Sequence, residues 1–197
     1  MQAKVEETSS GRHFHVWQHH VDVNNAAFEI AGKERVRLTE EEKLVLEIAA
    51  HAHDVVYVAG AGDNEEKSAE FALETLKRLG VRNKSVLLRV KNAILTTKHL
   101  TSGYEPKTRV ERILRDADLS GFAAPYERFD LNNVRVARES GIERGDSRWV
   151  TFHTGGFRLF SAINGGEMFW TEHGKRVLKP RAFANMERFR REHAPAV

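Results

Sequence analysis

Apolar residues recur at a helical spacing along most of this chain of 197 residues, and this periodicity constrains the fold more than any other feature. One such stretch covers residues 14–30 and stops before Gly32. A second follows Thr39 and Glu42, which form the capping-box pattern that opens a helix. The alternation typical of strands is limited to a weak run over residues 54–58. The sequence therefore predicts an all-α fold.

Glycines, a proline and polar capping residues delimit the remaining helices. These are predicted over residues 63–79, 85–99, 110–114, 126–139, 147–163 and 180–193. No repeat, low-complexity run or linker divides the chain. We therefore expect a flexible N-terminus over residues 1–11 and one helical domain over residues 12–197, a bundle with a C-terminal helical extension.

Composition narrows the chemistry that such a bundle can carry. The chain has no cysteine, so a transition metal would need histidine and carboxylate ligands. It has no apolar run of about 18 residues and no signal-like N-terminal segment, so we expect no membrane association and a cytoplasmic location. The formal net charge is only +3, and the basic residues near the C-terminus are interleaved with glutamates. This pattern does not predict a nucleic-acid partner.

Histidines are concentrated near the N-terminus. The chain has ten histidines, and four of them lie between residues 13 and 20. His15 and His19 are four positions apart, which on a helix places both imidazoles on one face, one turn apart. A tag remnant or a polar first turn is the alternative explanation. A tag, however, is a consecutive run of histidines, whereas Val16, Trp17 and Gln18 interrupt this cluster.

Further candidate ligands follow in later helices. The dipeptide His53-Asp54 lies near the end of an otherwise apolar predicted helix, where a buried aspartate is costly unless it is paired. A divalent cation binds imidazole and carboxylate together, and a structural hydrogen bond between the two residues is the alternative. Asp116 and Asp118 follow another apolar helix, either as ligands or as helix-end caps. Helices packed side by side can bring such residues to one metal.

In this order the residues resemble the four-ligand pattern of the HD-domain superfamily of metal-dependent phosphohydrolases. The stretch FHVWQHHVDV, residues 14–23, is similar to the YHNxxHAxDV motif of cyclic-nucleotide phosphodiesterases. Two other stretches, HDVVYVAGAGDNEEKSAEF and ILRDADLSGF, resemble segments of a bacterial family of predicted HD phosphohydrolases, as does EMFWTEHGKR followed by AFANMERFRRE. The resemblance extends from about residue 12 to residue 192, and it implies a helical HD-domain bundle.

The resemblance also implies a metal site and its ligands. The implied ligands are His19, His53, Asp54 and Asp118. Asp118 is preferred over Asp116 because the family's ligand precedes a Leu-Ser step. The expected cofactor is a divalent transition metal (manganese, iron, cobalt, nickel or zinc), with magnesium as a further candidate.

Roles in catalysis and substrate binding are implied in the same way. His15 would protonate the leaving oxygen, Asp54 would orient the attacking water, and Glu65 would be a general base or an anchor. The alternative for Glu65 is an acid that stabilises the first turn of a helix. Contacts to the substrate phosphate are expected from Arg12, Asn64, Lys67, Lys98 and His99. Outside the family pattern, Lys98 and His99 would simply be cations at a helix C-terminus.

Two departures from the motifs bear on the number of metals. Tyr57 stands where two-metal phosphodiesterases carry a further histidine, and Val16 replaces the asparagine of their motif. We therefore expect one firmly bound metal, with His99 as the candidate ligand of a second.

The predicted reaction is hydrolysis of a phosphate ester or anhydride in a small phosphorylated substrate, such as a nucleotide. Two alternatives stay open. One is an HD-fold di-iron oxygenase that would use His51 and His99 as extra ligands, against which Tyr57 argues. The other is a non-catalytic module that binds a nucleotide, against which the complete ligand set argues.

Overall fold

The computed structural model describes residues 1–8, 10–99, 104–162 and 166–193. In these residues the α-helices are α1 (Gln2–Glu7), α2 (Trp17–Lys33), α3 (Glu40–Ala52), α4 (Asn64–Arg78), α5 (Lys84–Leu95), α6 (Arg109–Asp118), α7 (Tyr126–Glu139), α8 (Trp149–Ala162) and α9 (Lys179–His193). A 3₁₀ helix, Leu119–Ala123, follows α6, and a π-helical turn, Gly174–Leu178, leads into α9. The described residues contain no strand, so the predicted all-α fold is confirmed.

Polar side chains set where several helices begin. The predicted capping box is present at the start of α3, where Glu42 N–H donates to the Thr39 hydroxyl and the Glu42 carboxylate accepts from Thr39 N–H. A second capping box, at Thr108, opens α6 and was not identified from the sequence. Asp63 precedes α4, but its side chain pairs with Lys67 at 2.8 Å instead of capping the helix.

Two helix ends differ from the predicted ones. α3 ends at Ala52, so His53 and Asp54 lie in the turn after the helix rather than inside it. α5 ends at Leu95 instead of residue 99. The reason lies in the two threonines that follow, since the Thr96 and Thr97 hydroxyls each donate to a backbone carbonyl of the last turn at 2.7 Å.

The helices surround one continuous hydrophobic core, which makes the described chain a single-domain bundle. α2 packs against α3 and α6, and α5 packs against α3 and α4. Leu46, Ile94 and Leu114 contribute fully buried side chains from α3, α5 and α6. α9 packs against α7 and α8, and the buried rings of Phe129 from α7 and Phe189 from α9 meet edge to face at 6.3 Å. Each such burial stabilises the fold by about 1.5–3 kcal/mol.

The first residues contain local structure of their own. α1 packs against α2, and Val5 is fully buried. The flexibility of residues 1–11 and the domain boundary at residue 12 stay predictions. None of the helices in the described ranges is long and apolar enough to cross a membrane.

Candidate metal centre

Three helices bring two imidazoles and two carboxylates together. His19 lies in the first turn of α2, His53 and Asp54 directly follow α3, and Asp118 is the last residue of α6. His19 Nε2 lies 3.2 Å from His53 Nε2 and 3.6 Å from Asp54 Oδ2. The same nitrogen lies 3.3 Å from Asp118 Oδ1. One donor atom from each of the four residues lies within 4.8 Å of all the others, and we call this group the His-Asp cluster.

The His-Asp cluster is largely buried and contains two carboxylates. Although burial lowers the pKa of His53, the carboxylates of Asp54 and Asp118 raise it well above its ordinary value. Burial raises the pKa of both carboxyl groups, yet the imidazoles hold both pKa values well below the ordinary range. Two ionised carboxylates in a buried site need cations beside them, so the cluster favours positive charge.

The orientation of His53 suits metal binding. Its Nδ1–H donates to the carbonyl of Ala50 at 2.9 Å, so that Nε2 faces the cluster with its lone pair in the neutral ring. Neutral imidazole nitrogens together with carboxylate oxygens are ligands that first-row divalent metals bind. The donor set therefore fits a divalent transition metal.

His15 precedes α2 instead of lying on it. The backbone N–H groups of His13, Phe14 and His15 all donate to Glu139 Oε1, at 2.7–2.9 Å. These bonds fold the segment onto the end of α7, and the helix begins only at Trp17. The predicted placement of His15 and His19 one turn apart on a single helix is therefore wrong.

The His15 ring nevertheless faces the His-Asp cluster. Its Nε2 lies 3.8 Å from Asp54 Oδ2, its Nδ1 lies 2.5 Å from Glu139 Oε2, and the Tyr57 ring stacks on it with centroids 3.6 Å apart. Burial raises the pKa of Glu139, but hydrogen bonds from His15 lower it to about 2. Glu139 is therefore ionised at neutral pH, which makes Nδ1 the donor to Glu139 and directs Nε2 toward the cluster.

Arg12 supports the same segment. Its guanidinium donates to the backbone carbonyls of Tyr57 and His15, at 3.0 and 3.4 Å, and to the hydroxyl of Thr8 at 2.9 Å. In this geometry Arg12 joins the N-terminal segment to the turn after α3. Its contact with a substrate phosphate stays a prediction.

The first turn of α4 carries three of the predicted site residues. Glu65 is half-buried, which raises its pKa, and the charge of Asp54 acts in the same direction. The Asn64 side chain bonds to both the N–H and the carbonyl of Val58 at 3.0 Å, so it fixes the loop before the helix. Lys67 is exposed and ion-paired at the start of its own helix. Glu65 is thus the residue of this turn that is electrostatically coupled to the cluster.

Lys98 and His99 follow α5. Lys98 Nζ donates to Glu66 Oε1 at 2.5 Å and to the carbonyl of Gly62 at 2.6 Å. His99 Nε2 lies 2.7 Å from Asp118 Oδ2, the oxygen that does not face His19. His99 therefore contacts a member of the cluster. Phosphate binding by Lys98 and His99, like that by Asn64, stays a prediction.

The two aspartates at the end of α6 have separate roles. Asp118 lies in the His-Asp cluster, the place the sequence argument assigns to it. Asp116 points to the other side of the helix, where its carboxylate accepts from Trp170 N–H at 2.8 Å and from Thr171 N–H and hydroxyl at 2.9 and 2.7 Å. Asp116 thus anchors the segment that leads to α9.

Two residues that shape the site had no sequence signal. Glu139 is 124 positions from His15, and nothing in its local sequence distinguishes it from a solvated helix residue. Arg115 is buried and donates to the carbonyls of Thr96 and His99, which holds the turn after α5. The roles of Glu139 and Arg115 become visible only in the folded structure. His51, offered as an extra ligand, lies outside the described metal-binding group.

A cavity of about 270 Å³ opens beside the His-Asp cluster. His19 and Asp118 form part of its wall, and Phe14 and Val23 contribute apolar surface. A molecule in this cavity would lie directly against the two cluster residues.

The comparisons with known proteins bear on this site. The family model described as HD domain matches residues 16–120, which is more than half of the chain and includes all four residues of the His-Asp cluster. No curated protein and no solved structure matched the chain.

Proposed function

Because the chain belongs to the HD domain family, we propose that it is a metal-dependent phosphohydrolase, an enzyme that cleaves phosphate ester or anhydride bonds. The observation that carries this proposal is the convergence of two imidazoles and two carboxylates in the His-Asp cluster. The substrate is a small phosphorylated metabolite, such as a nucleotide.

The His-Asp cluster would hold one divalent transition metal: manganese, iron, cobalt, nickel or zinc, with magnesium as a further candidate. A cation bound there supplies a Lewis acid for a phosphoryl oxygen and lowers the pKa of a coordinated water. Tyr57 supports a single metal, because its ring lies against His15 and offers no imidazole where a second ion would need one.

The residues around the cluster would carry the proton transfers. Protonated His15 donates from Nε2 to the oxygen that leaves phosphorus, while the Glu139 carboxylate on Nδ1 stabilises the imidazolium. Asp54 orients the attacking water, and Glu65, whose pKa is raised by burial, accepts its proton. Arg12, Asn64, Lys67, Lys98 and His99 are candidate contacts for the phosphate.

The decisive experiment combines metal analysis with an activity assay. Protein purified without added metal should contain about one equivalent of a divalent transition metal per chain. It should release phosphate from members of a panel of nucleotides and sugar phosphates, and Asp54→Ala should lose both the metal and the activity. Asp146→Ala, which removes a carboxylate paired with Arg148 in the loop before α8, is the matched control and should change neither.

Other outcomes would favour the alternatives. Two irons per chain and turnover that depends on oxygen would identify an oxygenase instead. Absence of metal, together with nucleotide affinity that survives His19→Ala, would identify a non-catalytic binding module.

A further inference from the structure

The cavity beside the His-Asp cluster has room for a small ligand. Its volume of about 270 Å³ lies just below the range of roughly 300–1,000 Å³ that is typical of pockets for drug-sized ligands. His19 and Asp118 line it, so a molecule whose phosphate is held at the cluster would extend into this cavity.

Two arginines of α7 line the same cavity and differ in their partners. Arg128 and Arg135 are seven positions apart, which places them on one face of the helix two turns apart. Arg128 forms an ion pair with Asp22, which also lines the cavity. Arg135 is half-buried and forms no hydrogen bond or ion pair with any residue in the described ranges.

The remaining polar lining does not neutralise Arg135. Gln18, Ser120 and Asn132 are uncharged, and the Asn132 Oδ1 atom is itself buried without a hydrogen-bond partner among the described residues. A guanidinium that lines a cavity without an ion-pair partner can offer its N–H groups to an anionic ligand. A cation without an ion-pair partner in the described residues therefore lines a cavity that is also lined by two residues of the candidate metal centre.

We propose that Arg135 is a specificity-determining residue that binds a second anionic group of the substrate, a phosphate or a carboxylate, while the scissile phosphate lies at the His-Asp cluster. This inference rests on the proposed function. The planar guanidinium offers two parallel N–H donors, which match the two oxygens of either anion.

The test compares substrates that differ in the second anion only. Phosphoglycolate is assayed against ethyl phosphate, and ribose bisphosphate against ribose monophosphate, as phosphate release by the metal-loaded wild type. The compound with two anions should have a kcat/KM at least about tenfold higher in one pair or both, because charge-assisted hydrogen bonds are strong. Preference in the first pair identifies a carboxylate and preference in the second a phosphate.

Two variants test whether Arg135 causes the preference for substrates with two anions. Arg135→Gln should remove most of the preference while activity on the single-anion compounds stays within about twofold, and Arg135→Lys should retain part of it. Arg158→Gln, which removes an exposed arginine of α8, is the matched control and should leave the preference intact. Thermal midpoints of all variants establish that they are folded.

Binding measurements separate this inference from the proposed function. In a His15→Gln background, which keeps all four residues of the His-Asp cluster, calorimetry should show that Arg135→Gln weakens binding of the two-anion compounds about tenfold and barely changes binding of their partners. If wild type hydrolyses none of the four compounds but this difference in binding appears, the proposed function loses support and the anion site stands. Equal losses for both members of each pair, or no loss at all, would overturn the anion site.

Discussion

Glu139 uses both carboxylate oxygens to position His15. One oxygen accepts three backbone N–H groups and holds the segment before α2, while the other pairs with the imidazole at 2.5 Å. The carboxylate thereby sets both the place of the ring and the nitrogen that carries the proton. Glu139 is a positioning residue, since it acts on the reaction through His15.

Replacing Glu139 with glutamine should slow hydrolysis of alkyl phosphates roughly 10- to 100-fold in kcat. The neutral amide still accepts the backbone N–H groups but no longer stabilises an imidazolium. Nitrophenyl phosphate has a leaving oxygen that needs no proton, so its kcat should fall far less.

The control for this prediction is Glu143→Gln, which removes an exposed carboxylate paired with Arg138 and should affect neither substrate. Equal slowing of both phosphates by Glu139→Gln would mean that the variant disturbs the site generally, and the proton-transfer role would be rejected.

At the scale of elements, a buried contact joins α6 to the segment before α9. Gly174 begins the π-helical turn, and a Cβ placed there would overlap Asp116 Oδ2 and lie 2.9 Å from Phe169 Cβ and Thr171 Oγ1. The close approach therefore requires glycine at this position. Because the segment can approach α6 this closely, the Asp116 carboxylate accepts three hydrogen bonds from Trp170 and Thr171.

Gly174→Ala should lower the free energy of unfolding by about 1–3 kcal/mol, since the overlap must be relieved by moving backbone or breaking the Asp116 contacts. Urea denaturation measures the change. Gly32→Ala is the matched control, because Gly32 lies within α2 with open space around its Cβ position, and alanine there should be neutral or stabilise by up to about 1 kcal/mol. An unchanged midpoint for Gly174→Ala would contradict the close packing.

A second connection between elements depends on pH. Glu42 of α3 accepts two hydrogen bonds from Arg109 of α6 at 2.7 Å, and this pairing is the main cause that lowers the pKa of Glu42 to about 2 from its ordinary 4.5. Because the pKa of Glu42 is lower in the folded state than in the unfolded chain, the ion pair stabilises the fold fully above pH 4.5. The effect is lost as the pH falls toward 2.

Glu42→Gln should therefore cost about 1–2 kcal/mol of unfolding free energy at neutral pH, and the difference from wild type should shrink as the pH falls below 4.5. Chemical denaturation at several pH values measures it. Glu41→Gln, at the exposed neighbouring position, should cost less than about 0.5 kcal/mol throughout. A cost for Glu42→Gln that did not vary with pH would exclude the ionised pair as its cause.

At the scale of the whole molecule, the His-Asp cluster joins α2, α3 and α6. A cation bound by the cluster would link three helices that pack against one another, so metal binding and global stability should be coupled.

Addition of a metal at about 100 times its Kd to chelator-treated protein should raise the free energy of unfolding by about 2.7 kcal/mol. For a chain of this length, the melting temperature should rise by roughly 2–4 °C per kcal/mol. Asp54→Ala should show no such increase in scanning calorimetry. A rise of equal size in that variant would place the bound metal elsewhere on the chain.

The sequence allowed the fold class to be predicted because the responsible signals are local. Apolar spacing and the Thr39 capping box identify helices without knowledge of their neighbours. Helix ends were predicted less well. At the end of α5, the hydroxyls of Thr96 and Thr97 compete with backbone N–H groups for the carbonyls of the last turn, and apolar spacing does not report that competition.

The sequence by itself determined that the chain is helical and that histidines and aspartates recur near the ends of separate helices, in the order of the HD domain pattern. Only the tertiary structure decided which side chains meet. Asp118 and Asp116 are two positions apart, yet one joins the cluster and the other anchors a distant loop. Glu139 reaches His15 across 124 positions, and Arg135 faces the cavity without a partner in the described residues. The periodicity of apolar residues depends on neighbours along the chain. Which side chains converge at the site depends on how the helices pack, and no local sequence pattern specifies that packing.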